Sequence, residues 1–218
     1  MAVRVVQPDE FAGTSGLDDW RYVLESIRAT FRFATFTDAA GFVAAVGAAA
    51  DAADHHPEVA LRYPGIVDIT LGTHDRAAVT TLDVDVARAL SSLAASAGAV
   101  ASPTAAQGIE IAIDTVDADR IRPFWAAVLG YVAVRGGSLA DPARLGPPVW
   151  FQQMDEPRTE RQRFHIDVSV PHDAAEARVA SALAAGGRLV SDAYARSWWV
   201  LADADGNEAC VCTWQDRS

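Results

Sequence analysis

Hydrophobic residues recur with two different periods in the first hundred residues, and these periods predict both helices and strands. In "GLDDWRYVLESI" the hydrophobic positions lie three or four residues apart, which predicts a helix that gives way to a strand at "TFRFATF". A second helix is predicted from about Thr37 or Asp38, since either residue is a suitable N-cap. The hydrophobic stripes of these two helices are Leu17, Trp20, Val23, Leu24 and Ile27, and Phe42, Val46, Ala49 and Ala53.

Two strands and a last helix complete the N-terminal part. The strands are predicted near residues 59–63 and 66–73, and the helix runs from about Asp83 to Leu93. In the second strand, side chains suited to a helix-covered core (Val67, Ile69, Leu71, Thr73) alternate with Asp68, Thr70, Gly72 and His74. Helices before and after short adjacent strands predict an α+β fold, in which an antiparallel sheet carries its helices on one face.

The C-terminal part contains a weak internal repeat. "IEIAIDTVDADRIRPFWAAVLGYVAV" reads strand, helix, strand, and "FHIDVSVPHDAAEARVASALAAGGRLV" reads the same way at similar length. Each copy is followed by more strand pattern, "PVWFQQM" in the first and "SWWVLADADGNEACVCTW" in the second. The repeat therefore predicts two βαβββ modules in tandem. We expect the aspartates of "DADGN" to shape a turn.

A segment rich in small residues separates the two patterns. "SSLAASAGAVASPTAAQG" begins as helix and then loses its hydrophobic period at a proline and a glycine. The sequence therefore predicts an N-terminal domain at residues 1–98, a linker at 99–108 and a C-terminal domain at 109–218.

Charge and composition exclude several classes of function. The chain has 29 acidic and 18 basic residues, so its net charge of −11 argues against a nucleic acid or an anionic membrane as partner. All the basic residues are arginine, which excludes a Schiff-base lysine, a pyridoxal phosphate anchor and a P-loop lysine. "MAVRVVQPDEF" lacks the apolar run of a signal peptide, and no stretch approaches 18 apolar residues. Cys210 and Cys212 lie two apart in a predicted strand and are poorly placed to bridge each other, so we expect a cytoplasmic protein.

Two adjacent histidines mark the most unusual stretch of the sequence. His55 and His56 lie at the predicted end of a helix, which Pro57 terminates, and Asp51 precedes His55 by four residues. One interpretation is that these histidines cap the helix or are simply exposed. A zinc site is a second interpretation, although the sequence has neither an HExxH motif nor a spaced cysteine pair.

A third interpretation comes from a resemblance that covers about residues 16–95. "DAADHHPEVALRYPGIVDITLGTHDRAAVTTLD" resembles the signature of the pterin-4a-carbinolamine dehydratase family: an acidic residue, three intervening residues, His-His-Pro, an aromatic residue, Thr-His at a strand end and a later aspartate. The chain departs from the family pattern in two places. The segment before His74 is one residue longer, and Val59 stands where the family often has tryptophan.

The resemblance implies a dehydration catalysed by histidine. Such a reaction needs an acid for the leaving hydroxyl and a base for a ring-nitrogen proton, and imidazole can serve as either near neutral pH. The resemblance implies that His55 and His74 transfer these protons, and that His56 completes the catalytic set mainly by holding the pterin. The substrate-binding residues that it implies are Asp51, Pro57, Tyr63 and Asp83. We expect Asp51 to orient His55, the three histidines to face an open pocket, and the step to need no metal or organic cofactor.

The C-terminal part resembles the glyoxalase-like domains of the vicinal oxygen chelate superfamily. The resemblance is carried by "FWAAVLGY", "RFHIDVSV" and "LADADGNEACVC". Metal-bearing members have four ligands, whose positions correspond here to Glu110, to Gln152 or Gln153, to His165 and to Cys210. Glutamine and a thiol make this an unusual set, so Glu110, His165 and Cys210 are weak metal candidates and a metal-free domain is favoured. Trp150, Trp198 and Trp199 are candidates for lining a ligand cavity.

Three hypotheses for the function remain in competition. The first is a pterin dehydratase with an appended glyoxalase-like domain, whose small-molecule substrate is a pterin. The second is a non-catalytic protein that serves association and binds a small molecule. The third is a metal-dependent lyase or dioxygenase that acts through the C-terminal domain. Since both resembled families associate, we expect a homodimer or a higher homo-oligomer.

Overall fold

The computed structural model describes residues 3–157 and 165–216, and contacts divide the chain into two units, Met1–Gly108 and Ile109–Ser218. Among its described residues, the first unit contains three helices, five strands and a short 3-10 turn. Its elements are α1 (Pro8–Ala12), β1 (Arg21–Val23), β2 (Ser26–Arg32), α2 (Phe36–Ala53), β3 (Glu58–Arg62), β4 (Ile66–Leu71), α3 (Thr81–Ser96) and β5 (Val100–Ala101). The strands form one antiparallel sheet in the order β1-β2-β4-β3, and β5 also pairs with β2.

One face of this sheet is covered by helices, as the alternation in β4 predicts. Val67 and Ile69 are fully buried in a core that includes Phe42 of α2 and Leu90 of α3, whereas Asp68 is only half-buried on the other face. The prediction of an α+β fold is therefore confirmed for this unit.

The prediction of a helix across residues 17–27 is wrong. This segment is the hairpin of β1 and β2, in which Leu24 turns the chain with a φ of 54°. Trp20 and Ile27 are both buried, Trp20 from the loop and Ile27 from the strand, so their helical spacing is a coincidence. Ile27, Ala29 and Phe31, which are two residues apart, are buried on one face, and this two-residue period is that of the strand β2.

Helix boundaries differ by a few residues from those expected. Thr35 is the N-cap of α2, and Thr80 is the N-cap of α3 with a capping box that includes Asp83. By length and composition alone, α2 would suit a membrane span, with a mean hydropathy of 1.2, which the sequence analysis did not predict. Its inner face, with Phe42 and Val46, packs into the core.

The predicted linker 99–108 belongs to the first unit. Its residues include β5 and the 3-10 turn Pro103–Ala105, and the backbone N–H of Ser102 donates to the carbonyl of Thr30 at 2.8 Å. Pairing with an open strand edge satisfies backbone groups that a free linker would leave to solvent, so this segment extends the sheet.

The second unit consists of two βαβββ modules, which confirms the predicted repeat. The first comprises β6 (Ile111–Thr115), α4 (Ala118–Leu129), β7 (Val132–Ala133), β8 (Leu139–Ala140) and β9 (Val149–Gln153). The second comprises β10 (Ile166–Ser169), α5 (Ala175–Ala184), β11 (Arg188–Tyr194), β12 (Trp198–Ala202) and β13 (Glu208–Cys212). Each module forms a four-stranded sheet whose first and last strands pair in parallel, in the orders β6-β9-β8-β7 and β10-β13-β12-β11.

Asp203 organises the turn between β12 and β13. One carboxylate oxygen accepts the backbone N–H groups of Asp205 and Asn207, and the other accepts the indole N–H of Trp125 at 2.9 Å. Asp203 is fully buried, so these bonds satisfy a carboxylate that would otherwise be costly inside the core. The expectation that the aspartates of "DADGN" shape a turn is confirmed for Asp203, whereas the carboxylate of Asp205 accepts hydrogen bonds from Thr115 and Arg120.

Candidate active site

The end of α2 sets the direction of the two adjacent histidines. The helix ends at Ala53, and Asp54 adopts a left-handed conformation with φ 47° and ψ 38°. The backbone N–H of His55 then donates to the carbonyl of Ala50 at 3.1 Å, which closes the helix end. The chain has therefore left the helix before His55, and the helical relation between Asp51 and His55 is lost.

His55 points inward and pairs with Asp83. Its Nε2 lies 2.7 Å from Asp83 Oδ1, and the side chains are 10% and 0% exposed. This position corrects two expectations, because a fully buried Asp83 cannot contact a substrate and His55 does not lie openly in a pocket. The carboxylate that orients His55 is Asp83, and Asp51 has no part in it.

Asp83 is held by the N-terminus of α3. Its Oδ2 accepts the backbone N–H of Thr80 at 2.7 Å and the hydroxyl of Thr73 at 2.8 Å, and the Thr80 hydroxyl lies 3.2 Å away. Burial of a carboxylate is tolerated when donors surround it in this way. Asp83 also contributes, after burial and Glu25, to raising the pKa of Tyr22.

His56 pairs with Asp51 at the surface. Its Nε2 lies 3.0 Å from Asp51 Oδ1, and the two side chains are 59% and 80% exposed. Asp51 was expected to orient His55, and the structure assigns it to the neighbouring histidine instead. The left-handed Asp54 explains the exchange, because it turns His55 toward the core and leaves His56 outside.

His74 lies just beyond β4 and is exposed. Its Nε2 is 3.9 Å from a carboxylate oxygen of Glu58, the first residue of β3. Of the other predicted substrate-binding residues, Pro57 is half-buried beside the histidines, whereas Tyr63 is 87% exposed in the turn after β3. Each of the three histidines is thus close to a carboxylate, and only the pair of His55 is buried.

Two residues of this arrangement were not found from the sequence. Glu58 has no signal beyond its place after His-His-Pro. Thr80 does have one, because "TTLD" places a threonine three residues before Asp83, and this spacing is typical of a capping box at a helix start. Recognition of that pattern would have placed Asp83 inside the helix end and away from the substrate.

The second unit contains one group of possible metal ligands among its described residues. The ligand atoms of His165, Asp167 and Cys210 lie within 4.8 Å of one another. Glu110, which the resemblance placed in the set, is not a member of this group. The side-chain amide of Gln153 donates to the carbonyls of Val116 and Met154. The four-residue set implied by the resemblance is therefore not assembled, and an aspartate joins the histidine and the thiol instead.

Cys210 is a poor ligand as it stands. Burial, followed by the charge and hydrogen bond of Asp167, raises the pKa of the Cys210 thiol to about 12. Asp167 lies directly opposite Cys210 in the parallel pair of β10 and β13, and it also contacts His165 Nε2 at 3.1 Å. These three side chains satisfy one another, so the arrangement does not fit a ready metal centre.

The tryptophans proposed to line a cavity have other surroundings. Trp198 stacks on Tyr194 with ring centroids 4.5 Å apart, Trp199 packs against the core, and Trp150 is 36% exposed. A cavity of about 540 Å³ in this unit is lined by Ser169, Val170, Pro171, Thr213 and Trp214.

Comparisons with known proteins divide the chain in the same places as its fold. Residues 5–93 match the family model described as pterin 4 alpha carbinolamine dehydratase, and residues 110–212 match that of a glyoxalase-like domain. A relative from Rhodopseudomonas palustris (strain BisB18), provisionally named pterin-4-alpha-carbinolamine dehydratase, is 39% identical over 97 residues, which are 44% of this chain and 95% of the relative. A relative of the same provisional name from Bradyrhizobium diazoefficiens is 36% identical over 96 residues, which are 43% and 95% of the two chains.

Two solved structures illustrate the two halves. A transcriptional coactivator/pterin dehydratase from Brucella melitensis is 34% identical, with a TM-score of 0.38, over 42% of this chain and 99% of its own. A glyoxalase/bleomycin resistance protein/dioxygenase family enzyme from Burkholderia phytofirmans PsJN is 20% identical, with a TM-score of 0.40, over 48% and 95% of the two chains.

Proposed function

Since the chain belongs, through its N-terminal half, to the pterin-4-alpha-carbinolamine dehydratase family, we propose that it converts a 4a-hydroxytetrahydropterin to the quinonoid dihydropterin and water. The observation that carries the proposal is the pair of His55 with buried Asp83, at 2.7 Å, next to the exposed His56. A histidine held by a buried carboxylate and still in reach of solvent is suited to proton transfer.

The proposed reaction moves two protons and breaks one bond. The C4a–O bond breaks with its electron pair, and the departing hydroxyl takes a proton from an acid and leaves as water. A base removes the proton on N5, and the electrons of that N–H bond form the C4a=N5 double bond. His55 and His74 are the proposed acid and base, since both are imidazoles able to exchange protons near neutral pH.

His56 and Asp51 are proposed to hold the pterin. Both are largely exposed, and their contact of 3.0 Å places an imidazole at the surface beside His55. The proposed step is an elimination of water with no change in oxidation state, so the histidines can perform it without a metal or an organic cofactor.

A second candidate function is a metal-dependent reaction of the C-terminal unit. The group of His165, Asp167 and Cys210 favours it, since nitrogen, oxygen and sulfur donors together suit borderline metals such as zinc. Against it stands the high pKa of the Cys210 thiol, because a metal ion that binds there has to displace the thiol proton. Metal analysis of the purified protein separates this candidate from the dehydratase.

The dehydratase proposal is tested with freshly generated 4a-hydroxytetrahydropterin, followed by ultraviolet absorbance. The full chain should accelerate dehydration, and His55→Ala and His74→Ala should each lower turnover by about 10²–10⁴-fold. His172→Ala is the matched control, because His172 lies in the C-terminal unit next to Trp214 and should leave turnover unchanged. No acceleration by the intact chain would refute the proposal and favour a non-catalytic binding role. Acceleration that survives the loss of His74 would refute its assignment.

A further inference from the structure

Asp83 is the only described carboxylate in the N-terminal unit that is fully buried, and both of its oxygens have partners. Oδ1 faces His55 Nε2 at 2.7 Å. Oδ2 accepts the Thr80 backbone N–H at 2.7 Å and the Thr73 hydroxyl at 2.8 Å. The two oxygens therefore have separate tasks, since one holds the imidazole and the other is held by the fold.

The protons of the two threonines account for the contacts on Oδ2. The Thr73 and Thr80 hydroxyl oxygens are 2.7 Å apart, and Thr80 Oγ1 also accepts the backbone N–H of Leu82. If the Thr80 hydroxyl donates to Thr73 and the Thr73 hydroxyl donates to Asp83, each hydroxyl proton occupies one of the two shortest contacts, at 2.7 and 2.8 Å. The longer contact of 3.2 Å between the Thr80 hydroxyl and Asp83 then needs no proton. Oδ2 then accepts one N–H and one O–H, and Oδ1 remains as the acceptor for His55.

The ring of His55 has one inner and one outer nitrogen. Nε2 is the inner one, because it meets Asp83. No hydrogen bond to Nδ1 is found among the described residues, and the same part of the chain contains no buried side-chain nitrogen without a partner. Nδ1 is therefore a ring nitrogen that is not completely buried, although the side chain as a whole is only 10% exposed.

We propose that Asp83 is a positioning residue that fixes His55 as the Nε2–H tautomer, so that Nδ1 is the atom that exchanges a proton with the substrate. Asp83 accepts the Nε2 proton, and the neutral ring then presents the Nδ1 lone pair outward. This inference rests on the proposed dehydratase function for its catalytic part, whereas the tautomer itself is independent of any substrate.

Thr73 extends the same arrangement to the second proposed catalytic histidine. Its hydroxyl bonds Asp83, its backbone pairs with Ala78, and the next residue in the chain is His74. The hydroxyl of Thr73 therefore ties the backbone that carries His74 to the carboxylate that orients His55. His55, Thr73 and Asp83 are far apart in the sequence because they come from the end of α2, the end of β4 and the start of α3. These three elements meet at the Asp83 carboxylate.

The tautomer is tested directly in the unmodified full chain. In alkaline buffer, where an ordinary imidazole is neutral, nitrogen-15 NMR of histidine-labelled protein should show His55 protonated at Nε2, with His55→Ala used for assignment. A His55 protonated at Nδ1 would overturn the inference whatever the activity of the protein.

Asp83→Asn tests the effect on catalysis. Its amide can donate to Nε2 and so stabilise the opposite tautomer, and a wrong tautomer in a comparable histidine–carboxylate arrangement costs about 10⁴-fold in turnover. We expect turnover to fall by at least about 10²-fold, the NMR signal to shift toward Nδ1–H, and KM to change less than turnover. Asp38→Asn is the matched control, since Asp38 follows the N-cap Thr35 in α2 by the same three residues but pairs with no histidine. It should leave turnover and tautomer unchanged.

Thr73 provides a test that does not depend on the folding of the Asp83 variant. Thr73→Val removes the hydroxyl with little change in shape and should lower turnover about tenfold, because a hydrogen bond to a charged group is lost. Thr73→Ser retains the hydroxyl and should restore most of that turnover. Equal turnover in both variants, or an Asp83→Asn protein that melts like wild type and keeps full turnover, would overturn the inference. If wild type shows Nε2–H but no dehydration, the proposed function fails and the positioning by Asp83 stands.

Discussion

Each half of the chain contains an imidazole paired with a carboxylate, and the two pairs have different surroundings. His55 and Asp83 are 2.7 Å apart, and their side chains are 10% and 0% exposed. His165 and Asp167 are 3.1 Å apart and 48% and 59% exposed. The first carboxylate receives a backbone N–H and a hydroxyl from its own fold, whereas the second faces a buried thiol.

The difference shows what separates a positioned histidine from a merely adjacent one. Exposed ion pairs contribute little, because water and side-chain motion compete with them. In a buried carboxylate, hydrogen bonds from the fold to one oxygen fix the direction of the second oxygen. The histidine that bonds this second oxygen is therefore held in one orientation.

Removal of the two carboxylates should have unequal effects on stability. Asp83→Ala leaves His55, Thr73 and the Thr80 N–H without their acceptor inside the fold, and we expect a loss of about 2–4 kcal/mol in the free energy of unfolding. Asp167→Ala removes an exposed partner and should cost less than about 0.5 kcal/mol. Urea unfolding followed by tryptophan fluorescence measures both, and equal losses would remove the distinction between the two pairs.

Alkaline pH should weaken the half of the chain that contains the thiol. Burial, reinforced by Asp167, raises the pKa of Cys210 to about 12, whereas an unfolded thiol ionises near pH 8.5. The folded state keeps a proton that the unfolded state loses, so this contribution is complete below about pH 8.5 and declines as pH rises toward 12. The decline is at most about 1.4 kcal/mol per pH unit.

The chain has no lysine to titrate in the same range, and a Cys210→Ala variant keeps the tyrosines and Cys212 that do, so the difference between wild type and variant reports on the Cys210 thiol. Unfolding of wild type and Cys210→Ala at pH 8 and pH 10, with a chelator present, should show a smaller pH dependence in the variant. Identical pH dependence would mean that the Cys210 thiol titrates normally.

The exposed pair of His56 and Asp51 should affect substrate binding more than turnover. His56→Ala removes an imidazole whose only described side-chain partner is the exposed Asp51, and we expect KM to rise about fivefold with turnover reduced less than about threefold. Steady-state dehydration kinetics measure both constants. A fall in turnover comparable to that of His55→Ala would show that His56 takes part in proton transfer.

Metal content should show the smallest effect of all. As purified, the chain should carry less than one zinc, iron or manganese ion, because His165, Asp167 and Cys210 satisfy one another and Glu110 lies outside their group. His165→Ala should then leave the metal content nearly as it was. Plasma mass spectrometry that finds one tightly held ion per chain, lost in this variant, would favour the metal-dependent candidate.

Sequence pattern predicted most of the fold and failed where two periods overlapped. The βαβββ repeat and the strand at residues 66–71 are long and regular enough to be unambiguous. The segment from Leu17 to Ile27 has helical spacing, yet the left-handed Leu24 makes it a hairpin, and a positive φ at leucine has no sequence signal.

The sequence singled out the histidines and the carboxylates that lie beside two of them, but it did not predict how they pair. The histidines and both acidic residues were found, yet the carboxylate of His55 was taken to be Asp51 because helical spacing was assumed to continue. The left-handed Asp54 breaks that spacing, and Asp83 comes from a helix 28 residues further along the chain. Contacts over such a separation depend on tertiary packing, which local pattern does not describe.

The double duty of Asp83 has a consequence for random mutagenesis. The same carboxylate caps α3 and orients His55, so a library screened for soluble expression and for activity should lose both properties together at this position. At exposed His74 the two screens should disagree, with well-expressed but inactive clones. A heat-stabilised parent should recover soluble clones changed at Asp83 without recovering their activity, and this would separate the structural role of the carboxylate from its proposed catalytic role by phenotype alone.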